Sequence, residues 1–433
     1  MTQHLDSQTA YPAGEPDIGT STRAWAKIGI LSFGGPAAQI ALMHRVVVDE
    51  NKWLSEKQFL NALNFCMLLP GPEAMQLATY SGWRMHGLVG GLIAGLLFVI
   101  PGAIVILALA ALYANYGTVP LVNAAFLGIK AAVLIIVVEA LVKVSKKALH
   151  ETAHYAIAVL AFIGIFFLKI PYPLIVITAA LYGFITSKPE TGKQTETVSV
   201  DHSFSRFLTT VSTWLAVWWA PVLLLWLTGA EAILIQISVF FSKLAVVTFG
   251  GAYAVLAYMA QDVVDAKNWL AAQEMIDGLG LAETTPGPLI LVTEFVGFLA
   301  AEKVGGFWLG VAGAAITLWV TFVPCFLWIF AGAPYIEWLS AQPRLRGALL
   351  AITAAVVGVI LNLALWFALN VAFSELDFTN LGPLQILYPV WTSIDWKVMV
   401  LTLLSAALLM KFKWNIMLVL TVCASGGVIL PGL

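Results

Sequence analysis

Part of this chain is written twice. KIGILSFGG (27–35) returns as KLAVVTFGG (243–251), VVDENKWL (47–54) as VVDAKNWL (263–270), and Pro70-Gly71-Pro72 as Pro286-Gly287-Pro288. Gly34 with Gly250, Trp53 with Trp269, and Gly71 with Gly287 share a single numbering offset, 216. Further on the offset drifts to 223, where Pro101 meets Pro324 and IKAAV (129–133) meets ITAAV (352–356). Short motifs held in one register mean a duplicated unit, so whatever one half folds into, the other repeats.

The solvent for that fold is lipid. Apolar residues make up 60% of the 433 and charged ones 11%, against about 25% charged in a soluble domain. Such a chain cannot cover itself in water, and in a bilayer it need not. A membrane-crossing helix takes about 20 apolar residues. Spans are expected near 24–44, 58–83, 88–114, 121–142, 151–168, 171–187, 211–229, 232–259, 274–299, 305–332, 346–370, 396–411 and 413–431. The chain therefore reads as an all-α polytopic membrane protein of two homologous halves. Residues 1–22 form a disordered polar tail with no apolar core for a cleaved signal, and 23–187 the first repeat. A polar linker (188–210), a connecting helix (211–230) and the second repeat (231–433) follow.

Charge placement sets the halves against each other. The span 121–142 ends in Lys143, Lys146 and Lys147, whereas its counterpart 346–370 is preceded by Arg344 and followed by Glu375 and Asp377. Lys and Arg collect on cytoplasmic flanks, so the copies are expected to be inverted. A trace from a cytoplasmic N-terminus then puts Arg45, Lys52 and Lys57 outside and Lys267 inside. It requires 58–83 to cross; a re-entrant segment there would make the halves parallel.

Two Gly/Pro breaks recur in each half: Gly34-Gly35-Pro36 with Gly250-Gly251, and Pro70-Gly71-Pro72 with Pro286-Gly287-Pro288. Broken backbone survives in hydrocarbon only where protein packs it or a polar cavity receives it. Interrupted helices at matching points of two repeats point to a transporter's binding site. A helix restarting after such a break offers free N–H groups and a positive dipole end, which suits an anion. A kink or a close-packing point is the plainer explanation of any single break.

Charges within apolar runs are costly and are candidates for the same site. Lys27 and Lys243 are repeat counterparts before the FGG breaks, Lys130 lies deep in its span, and Arg84 stands at the next span junction. Each also fits snorkelling to the interface. Glu73 follows Pro72 directly and is the candidate for proton coupling; its counterpart is Leu289. No metal site or cofactor is expected: His150 and His154 lack a carboxylate set, and Cys66, Cys325 and Cys423 sit in apolar runs. Neither a P-loop nor a nucleophile–base pair emerges, so catalysis is not expected.

Residues 33–102, from FGGPAAQIALMHR through LLPGPEAMQLATYSGWRMHG to FVIPG, resemble the signature region of the chromate ion transporter family, and TFGGAYAVLAYM and ETTPGPLILVTEFVGF extend the likeness through the second half. The resemblance is to that family's long, two-domain form. It implies efflux of chromate, a sulfate-like dianion, linked to the proton gradient and conferring chromate resistance. Family residues carry over as Gly34, Gly35, Pro36, Pro70, Gly71, Pro72, Gly82, Trp83 and Arg84. The sequence departs where Gln39 stands for His and Met67 for Gln. The expected setting is a bacterial inner membrane with the N-terminus cytoplasmic. The expected partners are chromate or a sulfate-like oxyanion, lipid and a second copy in a homodimer, with no nucleic acid. Transport of sulfate, or a non-transporting sensor, are the alternatives.

Overall fold

The computed structural model describes residues 16–187, 204–249, 251–336, 342–381 and 384–430. Most of the expected tail and of the expected polar linker lies outside the described residues. Helix α1 (Ile18–Leu31) starts inside the stretch expected as tail, because the Asp17 carboxylate accepts from the Gly19 and Thr20 amides. It stops at Ser32, where Gly34 (φ 86°) and Gly35 (φ 77°) turn the chain into α2 (Gly35–His44). A π-turn over 45–50 leads to α3 (Glu56–Cys66), which Ser55 and Gln58 start as a capping box. The second half repeats the pattern in α9 (Ala232–Val247), α10 (Ala252–Gln261) and α11 (Ala272–Thr284).

Beyond each Pro-Gly-Pro turn comes a helical hairpin. Helix α4 (Glu73–Tyr116) doubles back at His86 and Gly87 into arms 73–85 and 88–116. Helices α12 (Val292–Gly305) and α13 (Phe307–Gly332) do the same around Gly306. The arms touch through glycine: a Cβ on Gly82 would lie 2.3 Å from the Gly90 carbonyl oxygen, and one on Gly313 2.3 Å from that of Gly297. The turn glycines Gly87 and Gly306 are offset by 219, between the 216 before the hairpin and the 223 after it. The second hairpin is thus longer by about one helical turn in each arm. Adding a turn per arm keeps the same faces in contact, which explains the drift.

Both broken segments of a half fold back instead of running through. Tyr113, near the end of α4, donates its hydroxyl to Asp277 on α11 and sets its ring 5.3 Å from Phe295 on α12. Asp277 precedes the Pro286–Pro288 turn and Phe295 follows it, so the chain goes in and returns at one depth. Phe65 and Tyr80 meet across the first such turn at 6.1 Å. Phe240 and Lys243 on α9 both reach Tyr258 on α10, at 6.1 and 6.0 Å, so that pair folds back as well; by the repeat, α1 and α2 do likewise.

This corrects the expected straight spans over 58–83 and 274–299. Arg45, Lys52 and Lys57 come to the end of the bundle where α1 starts, and Lys267 to the opposite end. The halves nevertheless remain inverted. Two re-entrant pairs per half cancel in the count of crossings, and the equivalent helices run antiparallel: Gly91 faces Phe330 and Gly95 faces Phe326.

The halves also exchange helices. Helix α5 (Pro120–Ala148) has its counterpart in α14 (Pro343–Ala372), at the later of the two offsets. Helices α6 (Thr152–Phe166) and α7 (Tyr172–Thr186) pack on α14, with Ala158 against Gly358 and Gly183 against Gly347. Helices α15 (Trp396–Ala406) and α16 (Ile416–Ile429) pack on α5, with Cys423 against Gly128 and Ala124 against Gly427. A β-hairpin, β1 (Leu376–Leu381) with β2 (Leu384–Pro389), joins α14 to α15 and, with the antiparallel bridge between Phe373 and Ile394 beside it, departs from an all-α fold. The connecting helix α8 (Phe204–Leu227) begins earlier than expected and leans on α13, where Trp319 donates to the Val217 carbonyl. Large apolar side chains stay exposed around the bundle, Leu160, Ile185, Leu224 and Trp226 among them, as a surface solvated by lipid requires.

Candidate functional site

In an unbroken helix the carbonyl of Ser32 would accept from the amide four residues on. Four residues on from Ser32 stands Pro36, which has no N–H to give, and the Gly287 amide fills the place at 2.8 Å. The repeat does the same in mirror fashion: the carbonyl of Thr248 accepts from the Gly71 amide, also at 2.8 Å. Each Pro-Gly-Pro turn therefore closes on the FGG break of the other half. Proline carries no amide hydrogen, so in each turn the central glycine supplies the bond. Both glycines sit at positive φ, 119° at Gly71 and 88° at Gly287, which disfavours any residue with a Cβ.

The turns rest on the long helices of the opposite halves. A Cβ on Gly102 of α4 would come 2.2 Å from the Pro286 carbonyl oxygen, and one on Gly71 would come 3.0 Å from Cys325 Sγ on α13. Gly102 and Cys325 are repeat counterparts, so the two supports are equivalent.

Side chains then break the symmetry. Gln39 on α2 donates from Nε2 to the carbonyls of Gly287 (2.6 Å) and Ser32 (3.3 Å), and Gln76 on α4 to that of Pro70 (2.6 Å). Both Oε1 atoms are buried without a partner. Their counterparts are Val255 and Val292. Tyr253, two residues past Gly251, donates its hydroxyl to Glu283 Oε1 at 2.8 Å, three residues before Pro286. That bond ties the second FGG break to the second Pro-Gly-Pro turn, so all four breaks converge.

Helices restart at these breaks without side-chain caps. Gly34 precedes α2, Gly251 precedes α10, Pro72 precedes α4, and Pro288 precedes the turn 289–291 that leads into α12. Of the four helices that lead into the breaks, side chains serve the starts of α1, α3 and α11, and α9 starts without one. Helix starts without a cap present N–H groups and positive dipole ends, which recognise an anion. A Cβ on Gly35 or Gly251 would meet open space; those glycines serve conformation, at φ 77° and 96°. Gly250 lies outside the described residues. Pro36 is the second residue of α2, where its missing amide costs nothing.

The charged candidates scatter. Lys130 Nζ lies 3.1 Å from Asp277 Oδ1 and donates to Gln273 Oε1 at 2.8 Å, while Tyr113 holds the other Asp277 oxygen. Its charge is met locally. Lys27 and Lys243 are exposed on α1 and α9. Lys243 lines a cavity of about 660 Å³ at the end away from the N-terminus, with Lys169, Tyr172, Asp262, Asp265 and Asn362. Arg84 sits near the His86 turn, roughly 17 Å of helix from Glu73. Glu73 opens α4 at the edge of the first Pro-Gly-Pro turn, within the field of Lys147. Motif reading missed Tyr253 and Glu283; the one signal was an acidic residue inside ETTPGP.

The sequence profile of the family described as "Chromate transporter" matches residues 20–184 and 235–428. A chromate transport protein of Pseudomonas aeruginosa is 31% identical over 342 residues, 77% of each chain. A chromate transport protein of Cupriavidus metallidurans is 26% identical over 392 residues, 89% of this chain and 86% of that one. An uncharacterized transporter of Bacillus subtilis is 33% identical over 106 residues, 24% of this chain and 60% of its own. No solved structure matches.

Proposed function

Because the chain belongs to the chromate transporter family, we propose that it exports chromate across a bacterial inner membrane, linked to the proton gradient. The reciprocal bonds Gly71–Thr248 and Gly287–Ser32 carry this reading, since they gather uncapped helix starts from both halves into one place. Backbone N–H groups there bind the oxyanion, as donors fixed by the fold and needing no mobile cation. Lys243, which lines the cavity, and its repeat counterpart Lys27 draw the anion in. The inverted halves supply the alternating access, one half rocking against the other about the shared breaks.

The end where α1 starts faces the cytoplasm in this reading. Arg45, Lys52, Lys57, Arg84, the Lys143–Lys147 cluster, Arg344 and Arg346 gather there, against Lys169, Lys267, Lys303 and Lys397 at the other. The test is chromate flux in everted membrane vesicles, with sulfate as competitor. Voltage-dependent chromate accumulation above that of vesicles lacking the protein is expected; its absence, with insertion verified, overturns the reading.

A further inference from the structure

Glu283 links the second FGG break to the second Pro-Gly-Pro turn, with no cation beside it among the described residues. It is buried, on α11, and the Tyr253 hydroxyl on α10 is its hydrogen-bond partner there. The other charged groups near α11 are spoken for or distant. From α5, Lys130 is paired with Asp277, and Glu139 acts on Tyr253 while bound to Lys143 at 2.7 Å. From α4, Tyr113 is bonded to Asp277 and Glu73 has Lys147. Glu274, also on α11, binds Lys303. Helix α12 brings Glu294, another carboxyl, and, in its last turn, Glu302 and the Lys303 already paired with Glu274; α14 has Arg344 and Arg346 in its first turn.

We infer that Glu283 is the proton-carrying group, and that its proton and the oxyanion occupy the chamber together. The inference rests on the oxyanion chamber proposed above. A carboxylate among the helix starts that receive a dianion repels it across a medium of low dielectric. Protonation removes that repulsion, and by linkage anion binding favours the proton equally. The coupling is therefore of one sign: proton and oxyanion move in the same direction. Outward transport is then driven by the inside-negative membrane potential on the charge that remains, and opposed by an inward proton gradient. Glu73 differs in having a cation, Lys147, within electrostatic reach.

The test is calorimetric titration of the purified full-length protein with sulfate and with chromate, in buffers of different ionisation enthalpy. Sulfate stays a dianion throughout and isolates the protein's own proton. The wild type is expected to take up about one proton per anion where Glu283 is ionised, with affinity falling up to about tenfold per pH unit. Glu283→Gln is expected to take up none. Tyr253→Phe keeps the carboxyl and removes its donor, so the pH at which affinity falls should rise by about one unit; this variant decides the matter if Glu283→Gln does not fold. If neither oxyanion binds the wild type, the transport reading itself fails. If it binds without proton uptake, or if Glu283→Gln still takes up the proton, or if Tyr253→Phe leaves the profile unmoved, this inference alone is overturned.

Discussion

Lys130 on α5 stands 3.1 Å from Asp277 on the re-entrant helix α11, joining the first half's long helix to the second half's broken one. Tyr113 and Gln273 complete the group, and both charged side chains are buried. Removing one partner strands the other. Asp277→Asn should lower stability by about 3–5 kcal/mol, and the double variant Lys130→Met/Asp277→Leu by much less. Thermal unfolding of the purified protein reads the difference. A double-variant loss equal to the sum of the Asp277→Asn and Lys130→Met losses would show that the pair is not coupled.

Gly102→Ala should be more damaging than Gly35→Ala, although both add one methyl. At Gly102 the new carbon would press on the Pro286 carbonyl from 2.2 Å, an overpacking worth about 1–3 kcal/mol that also shifts the turn. At Gly35 it meets open space and pays only for φ 77°, about 1–2 kcal/mol. Chromate flux should be lost in the first and reduced in the second. The reverse order would contradict the packing of the second Pro-Gly-Pro turn on α4.

The folding back of both broken segments fixes which cysteine substitutions share a side. Lys52→Cys, Arg84→Cys and Arg344→Cys should react with an impermeant thiol reagent from one face of the membrane, and Lys169→Cys and Lys303→Cys from the other. Straight spans over 58–83 would instead separate Lys52 from Arg84.

At the bundle end, His44 meets Glu56 at 2.5 Å and Asp49 at 3.4 Å. The hydrogen bond to Glu56 is the largest influence; burial, the next, opposes it, and the negative charge of both carboxylates helps to hold the imidazolium above the ordinary 6.5. A raised value means stabilisation that is complete below 6.5 and lost as pH rises through the folded value. Protease resistance of the 45–54 segment should fall over that interval in the wild type and stay flat in His44→Gln. An NMR titration of His44 with its midpoint at or below 6.5 would contradict this.

Much of the architecture was legible because duplication leaves a register that composition cannot blur. The Gly/Pro breaks could be read as interruptions, since proline and paired glycines have few other uses inside apolar helices. Direction was not legible. Hydropathy measures the length of an apolar run, and α3 with the first arm of α4 has the length of a span although Phe65 and Tyr80 meet. Pairing was hidden for a similar reason. Lys130 has its partner, Asp277, in the other half of the chain, and Tyr253 has Glu283 on the next helix, 30 residues on; nothing in local spacing marks either. The helix exchange that sets α6 and α7 on α14 was equally invisible, because glycine contacts such as Gly183 with Gly347 look like any small-residue position in a span.

The convergence of breaks from opposite halves is open to direct measurement. In a background with Cys66, Cys325 and Cys423 replaced, Pro70→Cys and Phe249→Cys flank the Gly71–Thr248 bond. A protease site placed in the 188–203 stretch allows the two halves to be cut apart. A short bifunctional thiol reagent applied to native membranes should keep the cut halves together on a gel, and chromate should slow the linking. Halves that separate freely, or a rate indifferent to chromate, would contradict a shared oxyanion chamber.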